Sequence, residues 1–222
     1  GAPQPHAAPA YDFPVRDPLF ATVTAMTSLP SPAKSNPAEK TLKLKKIEGF
    51  KHPLKVRALL QDGNAPLAVI LLGFSAHSRA PLAGFWEGIL FEQGCHVLVF
   101  DSVFRGAFNE AAQQGVPGCM SVEARQVAAV ILAFLEQVEV KGKVTRVGVV
   151  GASYGGLVAL NLLRYLESAK SGLAVERALI FSPPVNARTT ARILDDFAEK
   201  DRPQFSLLEL ALNMKSPTIY DE

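Results

Sequence analysis

Ser153 lies in Gly151-Ala152-Ser153-Tyr154-Gly155-Gly156, after an apolar, β-branched run (Val147, Val149, Val150) and before a helical pattern (Leu157, Val158, Leu160, Leu162, Leu163). Strand, abrupt turn and helix with a hydroxyl at the apex is an arrangement suited to attack on a carbonyl carbon. A serine on so sharp a turn is held in a strained backbone conformation that projects its side chain above the sheet. Strand and helix must then pass close together, leaving no room for side chains at Gly151 and Gly155. The helix also aims its first N–H groups and positive dipole end at the hydroxyl, where a developing oxyanion would sit. A chance pattern in a loop is the plain alternative, but this one falls at a strand-to-helix junction.

The Gly-x-Ser-x-Gly pattern in this setting resembles the nucleophile elbow of the α/β-hydrolase superfamily. Leu72-Gly73-Phe74-Ser75-Ala76-His77 closes an earlier apolar run. It is similar to the family's loop in which His-Gly precedes the residue whose N–H helps to bind the oxyanion. Leu72 stands where the family usually has histidine. The resemblance implies Ser153 as nucleophile, the N–H groups of Phe74 and Tyr154 as oxyanion donors, and an acyl-enzyme that needs no cofactor and no metal. Phe100-Asp101-Ser102-Val103-Phe104-Arg105-Gly106 resembles the family's Asp-x-x-Gly loop, whose aspartate generally holds the loop by local hydrogen bonds.

Acyl transfer through serine also needs a base and an orienting acid. In the family these follow the serine, acid first and histidine last. The four histidines here are His6, His52, His77 and His96, all upstream of Ser153. His77 is the one whose loop borders the turn, and Asp101 is the nearest acid. The plainer readings are a loop histidine bonded to backbone or water, and a structural aspartate. Asp195 and Asp196 read as surface carboxylates of a helix. The expectation is a chain that stops after the sixth of eight strands, with base and acid supplied by sequence beyond it.

The 222 residues are enough for one sizeable α/β core, and the formal net charge of +2 predicts neither nucleic acid nor an anionic membrane as partner. No apolar run reaches transmembrane length. Lys40, Lys43, Lys45, Lys46, Lys51 and Lys55 nearly alternate with Leu42, Leu44 and Ile47, as on the wet face of a strand. Cys95 and Cys119 fall at opposite ends of the expected sheet, so a disulfide is not expected.

Residues 1–40 carry eight of the sixteen prolines and read as an extended Pro/Ala-rich segment; a start of this kind leans towards an exported protein. Strands are predicted at Thr41–Glu48, Leu54–Gln61, Leu67–Leu72, Val97–Phe100, 145–150 and Ala178–Ser182. Helices are predicted over 81–93, with Leu82, Phe85, Trp86, Ile89 and Leu90 facing the core, and over Ser121–Val138, capped by Ser121. This alternation implies a three-layer α/β fold, a mostly parallel sheet with antiparallel first strands. The core spans 41–187. Helical stretches at about 188–199 and 205–214 match the place where the resembled family inserts a cap or lid.

Two functions compete at this level. One is a serine hydrolase cleaving a small-molecule or acyl substrate, an ester, thioester or amide. The other is a non-catalytic α/β-hydrolase-like module used for binding or scaffolding. Phe74, Phe104, Phe108 and Tyr154 are the candidates to line an acyl pocket. Oligomeric state is not legible.

Overall fold

The computed structural model describes residues 38–74, 76–169 and 171–200. The proline-rich start and the predicted helix at 205–214 lie outside these residues. Described residues up to Ile193 belong to one compact unit and those from Leu194 onward to another; the sheet and the serine lie in the first.

Six strands form one sheet: β1 (Glu39–Leu44), β2 (Leu54–Leu59), β3 (Ala65–Leu71), β4 (His96–Val99), β5 (Val144–Ala152) and β6 (Arg177–Phe181). Their spatial order is β1-β2-β4-β3-β5-β6. β1 runs antiparallel to β2 and β2 antiparallel to β4, while β3, β4, β5 and β6 are mutually parallel. In β1 the apolar Leu42 and Leu44 are buried while Thr41 and Lys43 between them face solvent, which is period-two alternation at work. β3 and β4 are nearly continuous apolar runs because both of their faces are covered.

The helices are α1 (Pro81–Glu92), α2 (Gly106–Ala111), α3 (Met120–Leu135), α4 (Tyr154–Ser168) and α5 (Ala187–Lys200). Val69, Leu71, Leu98 and Val149 of the sheet bury against Val127, Ile131 and Phe134 of α3 and Val158 and Leu162 of α4. On the opposite face Leu59, Ile70, Val97 and Val99 meet Ala83, Trp86 and Leu90 of α1. The result is a three-layer α/β fold.

Two local expectations need correction, and one short helix goes beyond them. The buried positions of α1 are Ala83 and Glu87, with Leu82 and Ile89 exposed, because a buried arginine on β2 draws the Glu87 carboxylate inward. Ser121 is not the cap of α3: Cys119 occupies that position without a side-chain hydrogen bond, and the Gly118 N–H goes to Glu123 instead. The α2 helix was not anticipated; it has only six residues, too few for a periodic pattern to show. Both cysteines are free thiols.

Candidate active site

Register places Ser153 beside the ends of two neighbouring strands. Gly151 pairs with Leu71 on one side and Ile180 on the other, and Ala152 pairs with Phe181, so the serine follows directly above the C-terminal edge of β5. Its backbone takes φ 53° and ψ −126°, a conformation that costs a non-glycine residue roughly 1–3 kcal/mol. Surrounding contacts hold it there. The Ser153 N–H donates to the Phe181 carbonyl at 2.9 Å, and the Ser153 carbonyl accepts from Gly156 at 2.9 Å and Leu157 at 3.3 Å. The residue is exposed.

The glycines explain how the turn closes. A Cβ on Gly151 would lie 2.6 Å from the Gly155 carbonyl oxygen and 2.8 Å from the Gly156 Cα. One on Gly155 would collide with the Leu71 carbonyl and stand 2.7 Å from the Leu72 oxygen. No side chain fits at either position.

The loop after β3 comes against the serine. A Cβ on Gly73 would sit 3.5 Å from the Ser153 Cβ and 3.9 Å from its Oγ, so the Gly73–Phe74 backbone borders the hydroxyl. Among the described residues the Phe74 N–H finds no acceptor. Tyr154 is the first residue of α4, and an N–H at that position has no acceptor within its helix.

Three aromatic rings cluster at Phe74, Phe104 and Tyr154, the first and last of them next in sequence to Gly73 and Ser153. Phe74 and Phe104 have centroids 4.4 Å apart, and Phe104 meets Tyr154 edge-on at 4.7 Å. Phe74 is 65% exposed, an unusual state for a phenyl ring on a folded surface. Phe108 does not join them: it is fully buried, stacked on Phe100 and edge-on to Phe50, and belongs to the core. The Tyr154 hydroxyl turns away from the rings and donates to Glu123 Oε2 at 2.8 Å, while Glu123 Oε1 accepts from the Gly118 N–H at 2.7 Å. Burial pushes the Glu123 carboxyl up from its ordinary value. Burial, and then the bond to Glu123, pushes the Tyr154 phenol up as well.

Among the described residues His77, Asp101 and His96 have hydrogen-bond partners other than Ser153. His77 is exposed, and its Nδ1 accepts from the Arg79 N–H at 3.2 Å. Asp101 Oδ1 accepts from the Ser78 N–H at 2.7 Å and so ties the loop after β4 to the loop after β3. His96 is fully buried at the start of β4 and accepts from the Gln61 N–H at 3.1 Å. His52 is exposed between β1 and β2. His6 lies outside the described residues. Asp195 and Asp196 are exposed on α5.

Sequence reasoning missed a buried charge cluster behind the β3 loop. Arg57 of β2 bonds Glu39 through Nε (3.1 Å) and Nη2 (3.2 Å), and Glu87 through Nη2 (3.1 Å); its Nη1 donates to the Ser78 carbonyl. Arg79 reaches Glu39 at 3.4 Å. Burial lifts the Glu87 carboxyl to about 7, outweighing the pull of Arg57, whereas the Arg57 hydrogen bond holds Glu39 below its ordinary range. The available signal was an arginine in the apolar run of β2 and a glutamate four residues after Ala83 on one helix face.

No protein-family model matches the chain, and no curated protein matches it. Solved structures do. An esterase of Pyrococcus furiosus is similar at a TM-score of 0.52 and 22% identity, covering 78% of this chain and 62% of that one. An esterase of Pyrobaculum calidifontis gives 0.50 and 14%, covering 76% and 51%. Est1E of Butyrivibrio proteoclasticus gives 0.50 and 17%, covering 68% and 54%. The chain therefore spans between 51% and 62% of the length of these proteins. At such identities the likeness is one of fold. With the antiparallel leading strands, the parallel remainder and the serine-bearing turn between β5 and α4, it establishes that this chain has the α/β-hydrolase fold.

Proposed function

We propose that the chain carries the nucleophile and oxyanion site of a serine hydrolase that cleaves a carboxylic ester, thioester or amide. The observation that carries this reading is an exposed Ser153 held at φ 53° between β5 and α4, with the Gly73–Phe74 backbone against it. The Ser153 oxygen attacks the carbonyl carbon as its proton passes to a base, and the N–H groups of Phe74 and Tyr154 receive the oxyanion. The leaving group departs with a proton, and water then releases the acyl group from Ser153. One lost donor of this kind typically slows turnover by about 10²–10³.

The base and its orienting acid come, in this proposal, from sequence beyond residue 222. Two observations support that. Among the described residues β6 has a neighbour on one side only, and the chain spans little more than half of the esterases it resembles in fold. The Phe74, Phe104 and Tyr154 rings favour a substrate with an apolar group beside the scissile bond.

The second reading is a non-catalytic binding module of the same fold. It is favoured by one observation: no histidine or carboxylate among the described residues is hydrogen-bonded to Ser153. A fluorophosphonate probe on the natural, full-length polypeptide separates the two. Labelling that disappears in Ser153→Ala is expected for the hydrolase. No labelling of the unaltered polypeptide sinks the hydrolase and leaves the module.

A further inference from the structure

The backbone of Ser78 is held at both of its polar groups. Its N–H goes to Asp101 Oδ1 at 2.7 Å, and its carbonyl receives Arg57 Nη1. The same loop is tied again where Ser102 N–H donates to the Ala76 carbonyl at 3.0 Å, and it turns where Ala76 N–H donates to the Gly73 carbonyl at 3.2 Å. These ties run from the buried Arg57 to the Gly73–Phe74 backbone that borders Ser153.

Arg57 is unusually well placed to hold a carbonyl still. Glu39 takes two of its nitrogens in a forked pair and Glu87 shares one of them, which leaves Nη1 aimed at Ser78. The side chain is almost wholly buried. A planar guanidinium with three partners fixed around it has little freedom left; a lysine ammonium in its place could not reach all three in that geometry. Glu87 Oε1 is buried with no partner among the described residues, so the cluster keeps an uncompensated polar atom. Retaining such an atom behind a loop is costly unless the loop's position is worth it.

We propose that Arg57 is a positioning residue: it and Asp101 hold the two peptide groups that flank the Ser78 Cα and thereby keep the Phe74 N–H at the place where the oxyanion forms. This rests on the hydrolase reading, and the test separates the two. The measurements are the rate of fluorophosphonate labelling of Ser153 and the backbone amide resonances of Ser78 and Phe74, both on the natural polypeptide. Arg57→Lys keeps a cation for Glu39 and Glu87 but loses the fork. It is expected to shift both resonances and to slow labelling about tenfold or more, since small misplacements of a reacting geometry have large effects. Asp101→Ala releases the N–H of Ser78 instead of its carbonyl and gives the same loss, which stands in if Arg57→Lys does not fold. Asp101→Asn keeps an acceptor oxygen and restores most of the rate lost in Asp101→Ala, a rescue that a catalytic acid would not show. Unmoved resonances in Arg57→Lys and Asp101→Ala, or unchanged labelling despite moved ones, overturn the proposal. If the unaltered polypeptide never labels, the hydrolase reading falls, and the resonances alone decide the clamp.

Discussion

Glu87 is a carboxylate buried almost completely, an environment its side chain seldom occupies. It projects from α1 into the space between helix and sheet and faces Arg57 of β2, Glu39 of β1 and Arg79 of the intervening loop. Burial favours its neutral form, Glu39 adds to that, and Arg57 opposes both without prevailing, so its carboxyl titrates near 7 rather than 4.5. A folded-state value above the unfolded one means the fold holds this proton more tightly than the unfolded chain does. Its contribution to stability is therefore full below about pH 4.5 and is lost as pH rises towards 7. Glu39, held low by Arg57, acts in the opposite sense and below that window. Denaturant melts at half-unit steps from pH 4.5 to 8 are expected to show stability falling over this range. The fall is smaller in Glu87→Gln, which cannot ionise. An identical pH dependence in the two proteins contradicts the assignment.

At the scale of elements, the serine-bearing turn depends on α3 as much as on the strand before it. Tyr154 opens α4, and its hydroxyl reaches across to Glu123 in the first turn of α3, whose other oxygen caps the Gly118 N–H. Three segments thus meet on one buried carboxylate. Tyr154→Phe leaves Glu123 Oε2 buried without a donor and is expected to cost about 1–3 kcal/mol in unfolding free energy. Glu123→Gln, which can still accept from Gly118 and donate to the tyrosine, is expected to cost less. Equilibrium denaturation of both variants checks the ranking. Which parts of this were legible beforehand follows from what sequence patterns encode. Strands β3 and β5 and helix α4 could be read because long apolar runs and 3.6-residue periodicity are local signals, and so could the serine's place at a strand-to-helix junction. The exposed Leu82 and Ile89 could not: reading α1 as apolar-face-inward assumed that no charge is buried, and the partner that makes Glu87 a core residue lies thirty positions away at Arg57. Cys119 displaced Ser121 as the cap for the same reason, since the competing acceptor, Glu123, was fixed by a tyrosine thirty-one residues on.

Across the whole sheet the two faces are covered unequally. α3 and α4 lie on one face, over a core that runs from β1 to β5, while α1 covers β3 and β4 on the other. The consequence falls on β6, the last strand in the sheet order. Phe181 stacks on Trp86 at 5.0 Å and so shares the α1 face, and Leu179, two residues earlier, shares that face by strand periodicity. Leu179 is 52% exposed and Phe181 40%. Among the described residues β6 is a parallel edge strand with an open ladder and apolar side chains, a template for pairing with another chain that natural sheets usually blunt with charge or cover. The 222-residue chain alone is therefore expected to self-associate as its concentration rises. Leu179→Lys places a charge at the centre of that edge without touching the buried core. It should lower the association measured by light scattering or sedimentation while leaving the thermal midpoint nearly unchanged. Equal association in both proteins would mean that β6 is not the surface through which the chains meet.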